Sequence, residues 1–154
     1  GVKTQTTSQY DFKKKFDVVT CLFSSIAYTK TYRNLEKTLS CFYNHLKSGG
    51  VTIIEPFLSP QIYQQGYQRI KCVDKPGIRL ARIDISKKRG NTAILDINFL
   101  VSTKKKVEHI KDIHKLGLFD TDKFLSIMEN QGFQAKYLKR GLMKGRGLYI
   151  GVKK

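Results

Sequence analysis

The residue types that could do chemistry first appear after an apolar run near the start of the chain. The stretch FDVVTCLFSSIAYTKT, residues 16–31, runs from strand-forming residues into Ser24 and Ser25 and then places Tyr28 ahead of a helical pattern. Two explanations are open. In the first, the serines simply end a strand and cap the next helix. In the second, the strand delivers its carboxyl end to a ligand crevice, where short hydroxyl side chains allow close approach and hydrogen bonding.

A second candidate lies near the C-terminus, in the glycine-rich stretch GLMKGRG at residues 141–147. Arg146 stands between two glycines, which let the backbone approach a ligand closely. A guanidinium group binds phosphate oxygens through paired hydrogen bonds, so Arg146 is a candidate contact for a diphosphate. The alternative is a solvated arginine in a hairpin turn.

The three histidines differ in what their positions indicate. His114 lies on an alternating stretch, and His109, five residues earlier, falls on the opposite face of a regular strand. A histidine on such a strand is often a surface or hydrogen-bonded structural residue. His45 ends a helical pattern, where a positive charge is favourable next to the helix dipole.

Composition indicates a globular chain of one domain. The 154 residues are 40% hydrophobic and 11% aromatic, which is sufficient for a buried core. No apolar run approaches the roughly 18–20 residues of a membrane span, and GVKTQTTSQY does not resemble a signal peptide. The three cysteines form no Cys-x-x-Cys pair, which favours a reduced, cytoplasmic location and gives almost no support to a metal site.

The formal net charge of +17 is carried largely by lysine and arginine clusters. Such a charge attracts polyanions or a phosphate-bearing substrate. The competing explanation is a lysine-rich composition wherever solvent tolerates it. We favour the second explanation, because most clusters fall at predicted turns and not along one helix face.

The elements that must position these residues begin with a strand, a helix and a strand. FDVVTCLF, residues 16–23, is a continuous apolar run typical of a strand buried on both faces. Apolar residues spaced by three and four then predict a helix that ends at Gly49-Gly50. VTIIE, residues 51–55, predicts a second strand that Pro56 ends. This pattern is a βαβ unit with parallel strands.

Between Tyr67 and about Phe119, apolar residues recur at every second position, which predicts an antiparallel β insert. Asp120-Thr121-Asp122 then opens a helix closed by Gly132, and two strands, FQAKYLKR and GLYIGVKK, complete the chain. The fold class is therefore α/β. Ligands in open α/β sheets bind at the carboxyl ends of the strands. The two serines, Glu55-Pro56 and GLMKGRG are thus expected to share one crevice.

Four motifs in this order carry a family resemblance: YDFKKKFDVVTCLFSSIAY, HLKSGGVTIIEPF, HIKDIHKLGLF and GRGLYIGV. Over essentially all of its length the chain resembles the second half of a class I S-adenosylmethionine (SAM) dependent methyltransferase. Specifically, it resembles the N,N-dimethyltransferases that act on nucleotide-linked (dTDP) amino sugars of the desosamine and mycaminose type. The resemblance implies a Rossmann-like sheet ordered 3-2-1-4-5-7-6, of which this chain supplies strands 4, 5, 6 and 7.

The resemblance also implies that strands 1 to 3, with the glycine-rich SAM loop, would have to precede Gly1. The family tends to place an aspartate near the adenine at a position that is Ser8 here. The run FDVVTCLF would then be a sheet edge, whose unpaired backbone groups invite another chain. We therefore expect a fragment, a split gene product, or a homodimer or partner chain that completes the edge.

Residue roles follow from the resemblance. Tyr28 matches a position near the transferring methyl group, and His114 matches a histidine that could orient or deprotonate the acceptor amine; both are candidate catalytic residues. The implied substrate contacts are Arg146, Glu55, Phe57 and Ser25, and the implied cofactor contacts, to SAM, are Ser24 and Ser8. The substrate expected is a small-molecule amine, most specifically a nucleotide-activated amino sugar.

The expected organisation is a core part at residues 1–66, a substrate-side insert at 67–119 and a terminal helix and hairpin at 120–154. Two alternatives to the enzyme remain at this point: a nucleic-acid-binding relative, or an inert methyltransferase fragment that acts as an interaction module. Enzymes that methylate base amines usually carry Asn/Asp-Pro-Pro-aromatic after the fourth strand. Residues 24–28 contain no proline, which counts against base methylation without excluding nucleic-acid binding.

Overall fold

The computed structural model describes residues 12–143 and 145–154. The described chain forms eight strands, two α-helices and one 3₁₀ helix. In chain order these are β1 (Phe16–Cys21), the 3₁₀ helix (Ser25–Thr29), α1 (Tyr32–His45), β2 (Leu46–Ile54), β3 (Gln68–Lys75), β4 (Ile78–Arg89), β5 (Thr92–Thr103), β6 (Val107–Gly117), α2 (Thr121–Asn130), β7 (Phe133–Leu138) and β8 (Leu148–Lys153). Neither α-helix is long and apolar enough to cross a membrane.

The strands form two four-stranded sheets. The core sheet has the order β1-β2-β8-β7, in which β1 and β2 are parallel and the other pairs are antiparallel. This order is the expected 4-5-7-6 arrangement, so the α/β fold class and the βαβ unit are confirmed. The second sheet, the insert sheet, is the antiparallel meander β3-β4-β5-β6. It lies in the chain between β2 and α2, as predicted.

The first strand differs from its prediction in length and in burial. It ends at Cys21 instead of residue 23, because Phe23 and Ser24 take left-handed backbone angles, with φ of 52° and 60°. Burial on both faces was also wrong, since Val18 is 51% exposed. Within the described chain β1 is the edge strand of its sheet, so side chains that a central strand would bury meet solvent.

The first helix also ends earlier than predicted. Thr31 caps its start by accepting a hydrogen bond from the Asn34 backbone N–H (3.2 Å). The helix stops at His45 and not at Gly49-Gly50, because Leu46 is already extended and pairs with Phe16 of β1. Strand pairing therefore ends this helix before its glycine signal is reached.

The main core lies between the two α-helices and the core sheet. Leu35 and Leu39 of α1 are fully buried, and Phe124 of α2 stacks on Tyr149 of β8 with ring centroids 4.0 Å apart. Aromatic pairs of this kind add to the free energy gained by burying their surface. A smaller cluster of Ala27, Tyr63, Ala93, Leu116 and Leu118 joins the 3₁₀ helix to the base of the insert sheet.

Asp120 caps the start of α2, and its contribution to stability can be tested. Its carboxylate accepts hydrogen bonds from the backbone N–H groups of Asp122 (3.0 Å) and Lys123 (3.1 Å). These bonds, with the Lys123 N–H as the largest cause, hold the pKa of Asp120 below its ordinary 3.8. We expect Asp120→Ala to lower the free energy of unfolding by about 1 kcal/mol at neutral pH.

Because the folded-state pKa of Asp120 is depressed, its contribution is complete above pH 3.8 and is lost as the pH falls through the folded value. The stability difference between wild type and Asp120→Ala should therefore shrink in acid, as urea titrations over a pH series would measure. Asp120→Asn keeps the capping oxygen and is the matched control. Equal losses for the alanine and asparagine variants would contradict capping as the cause.

Cys21 and Cys72 give a second test, of how the end of β1 is buried. Burial raises the pKa of the Cys21 thiol to about 11, whereas Cys72 in the insert sheet is exposed. Because only the thiolate reacts, iodoacetamide at mildly alkaline pH should label Cys21 slower than Cys72 by about a hundredfold or more. Mass spectrometry of dilute native protein would measure both rates. Comparable rates would show that β1 does not bury its carboxyl end in this way.

Candidate functional site

The candidate site is built on the carboxyl ends of the parallel strands β1 and β2. The Glu55 backbone N–H donates to the Cys21 carbonyl (2.9 Å), which keeps the two strand ends side by side. The Glu55 carboxylate in turn accepts a hydrogen bond from the Phe23 backbone N–H (2.6 Å). Glu55 is only 1% exposed, so a buried carboxylate fixes the first residue of the left-handed turn.

Ser24 connects this turn to the end of β2 and to the C-terminal hairpin. Its hydroxyl donates to the Pro56 carbonyl (2.9 Å) and accepts from the Arg146 guanidinium (2.5 Å). The guanidinium carbon also lies 5.3 Å from the ring centre of Phe57, a cation–π contact. The structure thus brings the serine turn, the residues after β2 and the Gly-Arg-Gly turn together.

The turn between β7 and β8 holds the backbone at Arg146. The Gly141 N–H donates to the Arg146 carbonyl (2.9 Å) and closes the turn. A side chain at Gly141 would meet that same carbonyl oxygen at 2.7 Å, so this position requires glycine. Arg146, which could bind an anion, therefore lies in a turn whose shape depends on the close approach of Gly141 to the Arg146 carbonyl.

A cleft opens beside these residues. Its walls include Arg146 and Phe57, together with Phe119, Thr121 and Tyr137. The wall is thus mainly aromatic and aliphatic, and Arg146 is the charged residue among those that line it. Such a lining suits a ligand that combines a flat ring with a negative charge.

A hydrogen-bonded row of three side chains links the 3₁₀ helix to the insert sheet. The Tyr28 hydroxyl lies 2.5 Å from His114 Nδ1, and His114 Nε2 lies 2.8 Å from an Asp112 carboxylate oxygen. A carboxylate only accepts, so Nε2 carries a proton and Nδ1 is free to accept from Tyr28. Burial, and secondarily the Asp112 charge, raise the pKa of the Tyr28 hydroxyl above its ordinary 10. The hydroxyl therefore stays protonated at neutral pH.

Asp112 was not predicted as a site residue. The signal was present in the sequence, because residues two apart on a strand point to the same face. Asp112 and His114 share one face of β6, and His109 lies on the other, where its Nε2 is 3.0 Å from the Asn98 side-chain oxygen. The pairing of the imidazole with a carboxylate could thus have been read from KDIH.

The other predicted site residues lie at or near the same end of the sheet. Ser25 is exposed, and its hydroxyl donates to the Leu22 carbonyl (2.7 Å). Ser8 lies outside the described residues. The remaining histidine, His45, is at the far end of α1, where its Nδ1 lies 2.8 Å from the Cys41 carbonyl oxygen. Within residues 12–143 and 145–154, no three His, Cys, Asp or Glu side chains are grouped to hold a metal ion.

Comparison with known proteins gives relatives of one chemical type, although no family model matches the chain. The chain is 33% identical over 145 residues to the dTDP-3-amino-3,4,6-trideoxy-alpha-D-glucopyranose N,N-dimethyltransferase of Streptomyces venezuelae, covering 92% of this chain and 61% of that enzyme. It is 28% identical over 144 residues to the dTDP-4-amino-2,3,4,6-tetradeoxy-D-glucose N,N-dimethyltransferase of Saccharopolyspora spinosa, covering 94% and 57%.

Solved structures agree with these sequence relatives. The crystal structure of Streptomyces venezuelae DesVI superposes with a TM-score of 0.90 at 31% identity, over 96% of this chain and 63% of that one. The sugar N-methyltransferase KedS8 from Streptoalloteichus gives a TM-score of 0.89 at 27% identity, over 96% and 60%. The chain thus spans about three fifths of the length of the relatives it matches.

Sequence and fold together relate this chain to the C-terminal part of the class I SAM-dependent methyltransferases of the amino-sugar N,N-dimethyltransferase type.

Proposed function

We propose that this chain forms the acceptor side of a SAM-dependent N-methyltransferase whose substrate is the amino group of a nucleotide-linked amino sugar. The observation that carries the proposal is the row Asp112–His114–Tyr28, which places a proton-accepting pair of groups where the insert sheet meets the core sheet. The names of the relatives, dTDP-amino-sugar N,N-dimethyltransferases, support the substrate class.

The described residues fit one side of a SAM site. When bound, SAM supplies an electrophilic methyl group on a positively charged sulfur. Phe23, 79% exposed, presents an aromatic surface at the end of β1. Beside it, one buried carboxylate oxygen of Glu55 has no hydrogen-bond partner among the described residues. Such an oxygen favours a polar or cationic neighbour, because a buried acceptor without a partner is costly.

Ser24 and Ser8 were the predicted cofactor contacts. The Ser24 hydroxyl is already engaged by Pro56 and Arg146, so we assign it the shape of the turn and not a direct bond. Phe23 and Glu55 are then the described residues that would lie against the cofactor. Ser8 keeps its predicted role, outside the described residues.

The acceptor amine must lose its proton before its lone pair can attack a methyl group. The Tyr28 hydroxyl donates to His114, which leaves its oxygen lone pairs free to accept an N–H of the amine. As the amine loses a proton to this oxygen, the phenolic proton passes to His114 Nδ1. The Asp112 carboxylate stabilises the imidazolium that results. Orientation of the amine by the same contact supplies a further part of the rate.

Arg146 is the residue we propose for the diphosphate of the sugar nucleotide. Among residues 12–143 and 145–154, the groups that its guanidinium contacts are neutral: the Ser24 hydroxyl, the Met143 sulfur and the Phe57 ring. A cation that has no carboxylate partner among its contacts can bind an anion without first breaking an ion pair. Phe57, whose ring contacts the guanidinium, would form part of the wall next to it, and Ser25 keeps its predicted role as a substrate contact. Glu55, also predicted as a substrate contact, is assigned to the cofactor side instead.

The nucleic-acid-binding alternative has no support beyond the net charge of +17. The inert-module alternative has no support from the relatives, which are named as enzymes. The named relatives act on small nucleotide-linked sugars. The positive charge would attract a phosphate-bearing small molecule as well as a nucleic acid, so it does not favour nucleic-acid binding.

Replacing members of the row tests the proposed proton path. In the full protein that carries this chain, Tyr28→Phe should lower kcat for methylation of a dTDP-amino sugar by about a hundredfold, because the proton acceptor is lost. Asp112→Asn should lower kcat by about tenfold with KM nearly unchanged, and Asp112→Glu should restore part of it. His109→Asn, on the opposite face of β6, is the control and should keep wild-type kcat.

Calorimetric titration with S-adenosylhomocysteine separates this role from a defect in cofactor binding. Each variant should bind S-adenosylhomocysteine with wild-type affinity. A Tyr28→Phe enzyme of normal kcat would refute the proton path, and a protein that neither binds S-adenosylhomocysteine nor methylates amino sugars would refute the function itself.

Arg146→Lys tests the diphosphate contact separately. A lysine keeps the charge but loses the paired hydrogen bonds, so KM for the sugar nucleotide should rise about tenfold or more with kcat little changed. Lys136→Arg on β7, an exchange of the same two residue types outside the cleft, is the control. An unchanged KM for Arg146→Lys would place the diphosphate elsewhere.

A further inference from the structure

Ser24 joins three parts of the candidate site and is itself nearly inaccessible, at 5% exposed. Its backbone carbonyl accepts a hydrogen bond from the Ala27 N–H (2.9 Å) and so begins the 3₁₀ helix that carries Tyr28. Its hydroxyl bonds to the Pro56 carbonyl after β2 and to the Arg146 guanidinium of the C-terminal hairpin. A residue placed in this way acts on ligands through its neighbours and not by direct contact.

The Ser24 hydroxyl is oriented by its two bonds. A hydroxyl has a single proton, and here that proton is donated to the Pro56 carbonyl (2.9 Å). A lone pair of the same oxygen is left to accept from the Arg146 guanidinium (2.5 Å). Hydrogen bonds in a chain polarise one another, so each of the two bonds strengthens the other. A fixed Ser24 therefore also holds the arginine in place.

Phe23 connects Ser24 to the side of the site where the proposed function places the cofactor. The Phe23 backbone N–H donates to the buried Glu55 carboxylate (2.6 Å), while its ring is 79% exposed. Phe23 and Ser24 are consecutive residues, and both have left-handed backbone angles. Because this turn is held at both of its residues, a ligand that fixes the Phe23 ring also restricts the backbone of Ser24.

Arg146 has donors left for an anion while it is bonded to Ser24. Its two hydrogen bonds to described residues, to Ser24 and to Met143, both start at Nη1. The N–H groups of Nη2 and Nε remain for phosphate oxygens. A long arginine side chain loses conformational freedom when it binds an anion. The bond to Ser24 restricts the side chain beforehand, which makes the site ready for the anion.

The two ligand positions thus depend on one ordered arrangement, the Phe23–Ser24 turn with the Arg146 guanidinium bonded to it. The ligand that binds first orders this arrangement. The second ligand then meets groups that are already in place and binds more tightly. Thermodynamic linkage makes the effect reciprocal, so each ligand raises the affinity for the other by the same factor.

We propose that Ser24 is a positioning residue that couples the binding of a nucleotide diphosphate at Arg146 to the binding of SAM at Phe23. The proposal rests on the proposed function, because that function places the two ligands at these residues. Methyl transfer needs both ligands on the protein at once. Positive coupling favours the complex with both ligands over either complex with one.

Calorimetric titrations of the full protein that carries this chain measure the coupling directly. S-adenosylhomocysteine should bind with a dissociation constant about tenfold lower in saturating dTDP than without it. The reverse titration, of dTDP into protein saturated with S-adenosylhomocysteine, should give the same factor. The ratio of the two dissociation constants is the quantity to compare between variants.

Two variants of Ser24 separate its hydroxyl from its backbone. Ser24→Ala and Ser24→Gly both remove the hydroxyl, and glycine also adopts the φ of 60° without strain. Both should bring the ratio close to one. Thr29→Val is the matched control, because the buried Thr29 hydroxyl donates to the Ile26 carbonyl (2.8 Å) within the same 3₁₀ helix. It should keep the wild-type ratio.

The possible outcomes are distinct. A purely structural role for Ser24 would weaken S-adenosylhomocysteine binding equally with and without dTDP, and a wild-type ratio in both Ser24 variants would overturn the proposal. Equal dissociation constants in the wild type would also overturn it, while the proposed function would stand because both ligands bind. If neither ligand binds the wild type, the proposed function fails and the coupling fails with it.

Discussion

The structure of the site depends on one constraint, the left-handed turn at Phe23 and Ser24. These two residues adopt positive φ angles, which residues other than glycine rarely adopt. The turn is held in place by the buried Glu55 carboxylate on the Phe23 N–H and by the Ser24 hydroxyl on the Pro56 carbonyl. Strained backbone persists only where its surroundings fix it, and it is common at functional sites.

The turn positions residues on both of its sides. On one side, Ser24 receives the Arg146 guanidinium, so the turn aligns the C-terminal hairpin with the residues after β2. On the other side, the 3₁₀ helix starts at Ser25 and carries Tyr28 to His114 of the insert sheet. The two serines thus have different structural roles. Ser24 joins three elements at the carboxyl end of the sheet, and Ser25 begins the helix that bears the phenol.

The elements of this fold could be predicted from the sequence because each has a local signal. Alternation gave the meander, and Asp120 and Gly132 gave the limits of α2. What local pattern could not give was the end of α1, since Leu46 leaves the helix to pair with Phe16, a residue 30 positions earlier. Exposure of β1 was also missed, because apolar content alone does not say whether a strand is central or at an edge.

For the candidate site, the sequence did not indicate which hydrogen bonds its side chains make. Tyr28 and His114 were predicted from the family resemblance, and the structure adds the carboxylate of Asp112 that fixes the imidazole tautomer. Ser24 was predicted as a ligand contact, yet its hydroxyl bonds to two protein groups. Hydrogen bonds between elements far apart in the chain depend on distances that spacing along the sequence does not contain.

The alternation of side chains along β6 separates two environments. Asp112 and His114 lie on the face that meets Tyr28, while Lys111 and Ile113, their neighbours in sequence, lie on the opposite face. A substitution at Lys111 or Ile113 therefore changes the opposite face without removing a hydrogen-bonding member of the row.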